Sequence, residues 1–337
     1  MLNHLISGHD LSFDDMQSLM RQVMAGDLTP AQISALLIAL RIKGETVDEI
    51  AAAASVMREL SAKVSIQDST HLVDTCGTGG DGIQTFNVST VCAFVAAAAG
   101  AKVAKHGGRS VSSISGSADV LEALGVNVNQ TPEQVANCVN QIGIGFMFAP
   151  NHHSAMKHAA PVRRELGVRT LFNLLGPLTN PANAKRQVMG VFSAGLTGKL
   201  AHVLKQLGSE HVMVVCGADG MDEISFTGDT HIAELKDGQV HEYTLNPQHF
   251  GLGLHDLASI KVSDANASKA MILDVLAGKT GPARDIVLLN AGAAIYVSGV
   301  ADSLQAGIAT AAEMLDSGKA MQKLQQLVAM TNFNSNA

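Results

Sequence analysis

Residues 73 to 90 read Val73-Asp-Thr-Cys-Gly-Thr-Gly-Gly-Asp-Gly-Ile-Gln-Thr-Phe-Asn-Val-Ser-Thr90, and an alanine-rich run continues to Gly100. Leu72 and Val73 close a short strand. Gly77, Gly79, Gly80 and Gly82 allow positive φ or close approach of the backbone to a ligand. Asn87-Val-Ser-Thr90 then gives a polar start to an apolar helix, Val91 to Ala99. Strand, glycine loop and helix start in this order make an anion site, because unpaired N–H groups and the positive helix end face one point. A carboxylate there repels phosphate, so Asp81 is expected to accept from sugar hydroxyls or from loop N–H groups. The spacing Gly-x-Gly-Gly-x-Gly is neither the dinucleotide fingerprint nor a Walker A loop. A plain strand-to-helix turn is the competing reading.

The chain has 337 residues, enough for a large core and two domains. A formal net charge of −7 gives no support for a nucleic-acid or anionic-membrane surface. Cys76, Cys92, Cys138 and Cys216 lie far apart, so neither zinc nor a redox pair is indicated. Cys76 abuts the glycine loop and is read as a packed thiol rather than a nucleophile. No signal-peptide pattern and no membrane-spanning run is present, so a cytoplasmic location is expected.

Residues 1 to about 65 read as helices. Ser12, Thr29 and Thr46 are cap residues, with Pro30 at a first helical position and Gln32 completing a capping box. Ile33, Leu36, Leu37 and Leu40 share one face. From about Leu72 short apolar runs alternate with helical segments: Ala101–Ala104, Gly145–Phe148, Val188–Phe192 and His211–Val215. That alternation predicts an α/β fold with a mainly parallel sheet. Ala233 to Val240 resembles a hairpin turning at Asp237-Gly238. Helices return from Ala265 to Leu276 and from Ser303 to Val328. The fold class is therefore α/β: a small helical N-terminal domain, residues 1–70 joined by helices near 155–180, and a large α/β domain, residues 71–337, with a mainly parallel central sheet.

Three further constellations carry chemistry. Lys105-His-Gly-Gly-Arg-Ser-Val-Ser-Ser113 groups cations, hydroxyls and glycines in a pattern that suits a polyphosphate. Ser117, at the start of the next helix, is also able to face an anion. Asp222 and Glu223 follow a strand and suit Mg²⁺, which keeps waters and bridges to phosphates; an ordinary acidic turn is the alternative. His152, His153 and His158 form no zinc-ligand spacing, and His153 is read as lining a pocket. Arg163 is placed to meet a carboxylate, or is a surface arginine.

These stretches in this order resemble the anthranilate phosphoribosyltransferase family. The motifs are Asp74-Thr-Cys-Gly-Thr-Gly-Gly-Asp81, Phe86-Asn-Val-Ser-Thr90, Lys105-His-Gly-x-Arg109, Ala155-Met-Lys157, Phe172-Asn-x-Leu-Gly-Pro-Leu178, Asp222-Glu223 and Gly281-Pro-Ala-Arg-Asp285 with Leu289-Asn-Ala-Gly292. The resemblance implies a cleft between the two domains and a homodimer. It implies transfer of the 5-phosphoribosyl group from phosphoribosyl diphosphate to the amine of anthranilate, in tryptophan biosynthesis. Carried over residue by residue, the donor site is Gly77, Gly80, Asp81, Thr85, Asn87, Val88, Ser89, Thr90, Lys105, His106, Gly107, Gly108, Arg109, Ser110, Val111, Ser112, Ser113 and Ser117. Magnesium, expected as two ions, maps onto Ser89, Asp222 and Glu223. Anthranilate maps onto Gly77 and Arg163, with His106 and His153 beside it; His106 is the expected proton acceptor.

Two departures from the family pattern stand out. Gly108 occupies a position where the family usually has Asn in contact with the acceptor, and losing one such contact costs roughly 1–3 kcal/mol. Ile260-Lys-Val-Ser-Asp-Ala-Asn-Ala267 differs from the usual glycine pair and Glu-Asn-Ala, and is expected to affect a helix start. Two other functions are open on this scaffold. A nucleoside phosphorylase has no need of the Asp222-Glu223 pair. A nucleic-acid-binding protein is at odds with the net charge of −7.

Overall fold

The computed structural model describes residues 1–109 and 115–333. The chain begins with α1 (Leu2–Ile6), α2 (Phe13–Ala25), α3 (Pro30–Lys43) and α4 (Val47–Leu60). Their starts follow the sequence closely. Ser12 accepts from Asp15 N, while Thr29 with Gln32 and Thr46 with Glu49 form reciprocal capping boxes. Such a cap contributes on the order of 1 kcal/mol.

The sheet then builds from β1 (Leu72–Thr75), β2 (Lys102–Gly107), β3 (Ile144–Phe148), β4 (Arg186–Gly190), β5 (His211–Gly217), β6 (Thr230–Lys236) and β7 (Gln239–Leu245). The order across it is β3-β2-β1-β4-β5-β6-β7. The first five are parallel, and β6 and β7 add an antiparallel edge. That hairpin turns at Asp237 and Gly238, both with positive φ of 51° and 72°. Connecting helices are α5 (Val88–Ala98), α6 (Ser117–Ala123), α7 (Pro132–Ile142), α8 (Ala149–His152), α9 (Ala160–Leu166), α10 (Phe172–Leu175) and α11 (Thr197–Gln206). The chain ends in α12 (Ala265–Leu276), α13 (Pro282–Ser298), α14 (Leu304–Asp316) and α15 (Lys319–Phe333).

Alternation along β5 divides the core. Met213 and Val215 join the cluster formed with α5, α13, α14 and α15. Val212 and Val214 face the other way, into a cluster shared with α2, α3, α4 and α11. The helical bundle therefore packs on one face of the sheet, and Ala159, Val162, Leu171 and Phe172 join its core.

Two helices differ from the sequence reading. The expected helix from Ser303 to Val328 is two, broken where Gly318 takes φ +72°. α13 has no counterpart among the helices expected from sequence, and it carries Gly292 in its interior. The structure explains that glycine: a Cβ there would lie 2.6 Å from Ile308 of α14, so the two helices cross almost backbone to backbone.

Strand order reverses at β1. In open parallel sheets ligands bind at such a switch point, outside the carboxyl ends of the strands. The loops after β1, β2 and β5 all emerge there.

Candidate functional site

A cleft of about 380 Å³ opens at that switch point. The glycine loop after β1 forms its floor. Thr78 N–H donates to the Gly190 carbonyl at 2.9 Å, and Gly79 N–H donates to Asp222 Oδ2 at 2.8 Å. Gly77 is required by closeness, since a Cβ there would lie 2.6 Å from Asp222 Oδ2. Asp81 Oδ1 accepts the Ile83 N–H at 3.1 Å, the loop N–H alternative of the sequence reading. Arg169, unnoticed in the sequence, donates to the Gly80 carbonyl while its guanidinium stacks 4.0 Å from the Phe192 ring centre. Arg41 of α3 donates to the Arg169 carbonyl, so the bundle is tied to the loop.

The acid corner is half-buried. Glu223 Oε1 accepts the Ser89 N–H at 3.1 Å. The N-terminus of α5, read from sequence as a phosphate seat, is thus partly taken by a carboxylate of the protein itself. Burial pushes the Asp222 carboxyl well above its ordinary value, and Asp81 adds to the shift. Burial followed by Asp222 does the same for Glu223, with Lys105 opposing it. Two desolvated carboxyls facing one cleft with a serine hydroxyl suit a hard divalent cation. No cluster of three or more His, Cys, Asp or Glu able to hold a metal occurs among the described residues, so further donors must come from phosphate or water.

Lys105 is buried at 3% exposure. Its Nζ reaches the Thr75 carbonyl and Ser89 Oγ, the latter at 3.1 Å. Behind it Asp74 is fully buried, and burial raises its carboxyl to about 6 against the pull of Lys105. Asp74 accepts from Asn180 Nδ2 at 2.7 Å and from His106 N–H at 3.1 Å. This strut fixes the backbone that carries Lys105 and His106. A charged residue inside a short apolar strand was its sequence signal.

Arg109 stands differently from the sequence expectation. Its guanidinium is bidentate on Glu122, at 2.6 and 2.7 Å, and also meets Asp119 at 2.9 Å, all at the edge of the cleft. Gly107 is explained by packing rather than by phosphate: a Cβ there would run into Ser117 Oγ. Gly108 has room, with Ala149 Cβ 4.0 Å from where its own Cβ would be. Asn87 is engaged by protein groups, accepting from Ser268 Oγ at 2.7 Å and Ser115 Oγ at 3.1 Å. The departing segment at Ile260 does more than start α12, although Asp264 does cap that helix. It runs antiparallel to the loop, with Phe86 N–H donating to Ile260 O and Val262 N–H to Gln84 O. Thr85 bridges to Lys261 in the same ladder.

At the far end of the cleft, burial lowers His106 to about 3, helped by His153 and His152, against a weak opposing pull from the Gly176 backbone. Burial lowers His153 to about 4. The two rings meet edge to face with centroids 5.1 Å apart. Arg163 lies over Phe172 at 5.3 Å, and burial lowers its guanidinium as well. The lining brings together Gly77, Gly80, Asp81, Thr85, Asn87, Val88, Ser89, Lys105, His106, Gly107, Gly108, Arg109, Ser117, Arg163, Asp222 and Glu223. His153 stands behind His106 rather than in the lining, and Thr90 is buried within α5. Ser110, Val111, Ser112 and Ser113 lie outside the described residues. Burial holds the Cys76 thiol strongly protonated, which fits a packed residue.

Comparisons with known proteins agree with this two-module fold. The helical bundle domain of the glycosyl transferase family matches residues 1–61, and the a/b domain of that family matches residues 69–321. An anthranilate phosphoribosyltransferase from Methylobacillus flagellatus is 67% identical, over 98% of this chain and 97% of its own. The crystal structure of anthranilate phosphoribosyltransferase from Thermus thermophilus superposes with TM-score 0.93 at 43% identity, covering 98% of this chain and 99% of that one. The Saccharomyces cerevisiae enzyme in complex with PRPP and Mg superposes with TM-score 0.89 at 29% identity, covering 98% and 96%.

Proposed function

This chain belongs to the anthranilate phosphoribosyltransferases, and from that premise we propose how its own residues carry out the transfer. The reaction moves the 5-phosphoribosyl group from phosphoribosyl diphosphate to the amine of anthranilate, releases diphosphate, and serves tryptophan biosynthesis. The observation that carries the reading is the pair of desolvated carboxyls, Asp222 and Glu223, set against the glycine loop and Ser89.

Leaving-group departure puts positive charge on ribose and negative charge on diphosphate. Ser89, Asp222 and Glu223 would hold Mg²⁺, which offsets that negative charge when bound. Two half-buried carboxylates facing one polyphosphate favour two ions. Lys105, fixed by Ser89, adds a preorganised cation, and N–H groups of the glycine loop donate to phosphate. Arg109 reaches the donor by leaving Glu122. Arg163, desolvated and without a carboxylate partner among the described residues, receives the carboxylate of anthranilate. His106 supplies a neutral wall for the aromatic ring. Its lowered basicity argues against a strong general base there. Positioning the amine opposite the departing diphosphate is then most of the remaining task.

The boundary between the modules falls near residue 70. The protein acts as a homodimer, a reading supported by Ile6 and Ile42 on the bundle, which are 66% and 81% exposed. A cytoplasmic location belongs to the same reading; among the described residues no helix is long and apolar enough to cross a membrane. The test is direct. Protein is mixed with anthranilate, phosphoribosyl diphosphate and Mg²⁺, and loss of anthranilate fluorescence is followed. Loss that requires all three is expected. No loss from folded protein that binds the donor would reassign the acceptor.

A further inference from the structure

The acid corner is held from behind by a residue outside the cleft lining. Asn290 sits mid-way along α13, 2% exposed among apolar neighbours. An amide there is costly unless its polar atoms are bonded. Its Oδ1 accepts the Ile224 N–H at 2.8 Å, and its Nδ2 donates to the Ile224 carbonyl at 2.9 Å. A second Nδ2 bond, to the Ile286 carbonyl at 2.9 Å one turn back, fixes the amide's orientation. Both backbone polar groups of the residue next to Glu223 are therefore gripped by one side chain.

The other half of the acid corner rests on the same helix. Ser89 opens α5, which packs along α13, and Cys92 Sγ lies 3.7 Å from the Val287 carbonyl. α13 is in turn locked to α14, where a Cβ on Gly307 would lie 2.2 Å from the Gly292 carbonyl. Only Asn offers an acceptor and a donor side by side at this reach; Asp lacks the donor and Leu lacks both.

We propose that Asn290 is a positioning residue for divalent-cation binding: through the Ile224 backbone it sets where the Glu223 carboxylate stands relative to Ser89. The inference rests on the assignment of the cation to Asp222 and Glu223. A carboxylate displaced by a fraction of an ångström still folds into the cleft but no longer shares an ion well with its neighbours.

The test uses the full chain with Mn²⁺ as the probe, in the presence of inorganic diphosphate, read by water-proton relaxation. Asn290→Ala and Asn290→Asp should bind Mn²⁺ roughly 10- to 100-fold more weakly. The Mg²⁺ concentration for half-maximal turnover should rise in parallel, while KM for anthranilate stays unchanged. Leu289→Ala, at a fully buried position on the same helix, should lower Tm without weakening Mn²⁺ binding. Asn290→Asp keeps the side-chain volume and the Ile224 N–H bond, so it serves where the alanine variant fails to fold. Mn²⁺ affinity within about twofold of the parent in either folded Asn290 variant, or equal weakening in Leu289→Ala, overturns the inference. Asp222→Asn combined with Glu223→Gln separates the two claims. Unchanged Mn²⁺ binding there removes the cation assignment itself, whereas weakening there but not at Asn290 removes only the positioning role.

Discussion

At the acid end of the cleft, Asp222 and Glu223 are half-buried and each accepts a backbone N–H, from Gly79 and Ser89. At the opposite end His106 is more deeply buried, at 3% exposure; among the described residues neither of its ring nitrogens makes a well-formed hydrogen bond, the Gly176 backbone exerting only a weak pull, and His153 lacks a partner at Nε2. Both ends are desolvated, and in both burial favours the uncharged form. They differ in what a ligand can repair. A cation entering the acid end relieves a desolvation cost already present. No cation is invited to the histidine end, where neutral rings, Phe172 and Arg163 suit a flat aromatic carrying one carboxylate. The same physical penalty therefore defines two subsites of opposite character.

The sharpest way to break this contrast is at the acid end. Asp222→Asn with Glu223→Gln should lower Mg²⁺-dependent turnover by at least about a hundredfold. The same double variant, measured without Mg²⁺ at neutral pH, should melt higher than the parent, because two desolvated carboxyls become neutral amides. A lower Tm would mean that the carboxyls stabilise the fold rather than wait for a cation. At the other end, Arg163→Leu should raise KM for anthranilate roughly 10- to 100-fold, with KM for phosphoribosyl diphosphate little changed. Equal losses for both substrates would dissolve the division into subsites.

Smaller effects sharpen it further. Gly108 has open space beside Ala149, so Gly108→Asn should fold normally and lower KM for anthranilate by no more than about tenfold. A higher KM would mean that this chain uses the space itself. Acid should weaken the fold through the histidine end. Free histidine titrates near 6.5, while His106 and His153 lie near 3 and 4 in the fold, so the unfolded chain binds more protons below about pH 6.5. Stability from these rings is complete above that pH and declines as pH falls toward 4. His106→Asn and His153→Asn should each flatten the decline of Tm by an amount on the order of a few degrees. An unchanged slope would mean that the rings charge without cost.

Much of the fold was legible because it is written in local chemistry. Ser12, Thr29 and Thr46 announce helix starts by capping, and Asp237-Gly238 announces a hairpin by positive φ. α13 was not legible, since Gly292 serves a contact with α14, an element further along the chain. The site was legible as a set of residue types but not as a wiring diagram. Asp222, Glu223 and Lys105 could be named from sequence. That Glu223 takes the N–H of Ser89, that Asp74 and Asn180 brace His106, and that Arg169 ties the bundle to Gly80 are consequences of strand order, which brings distant loops to one edge.

Arg109 carries a last consequence. Its guanidinium already has Glu122 at 2.6 and 2.7 Å and Asp119 at 2.9 Å. Donor binding there is an exchange of one anion for another, not the capture of a free cation. Dissolved ions screen the old pair as well as the new one. Raising ionic strength therefore weakens donor affinity less steeply than a count of the cleft's cations implies, and Glu122→Gln should restore the steeper dependence.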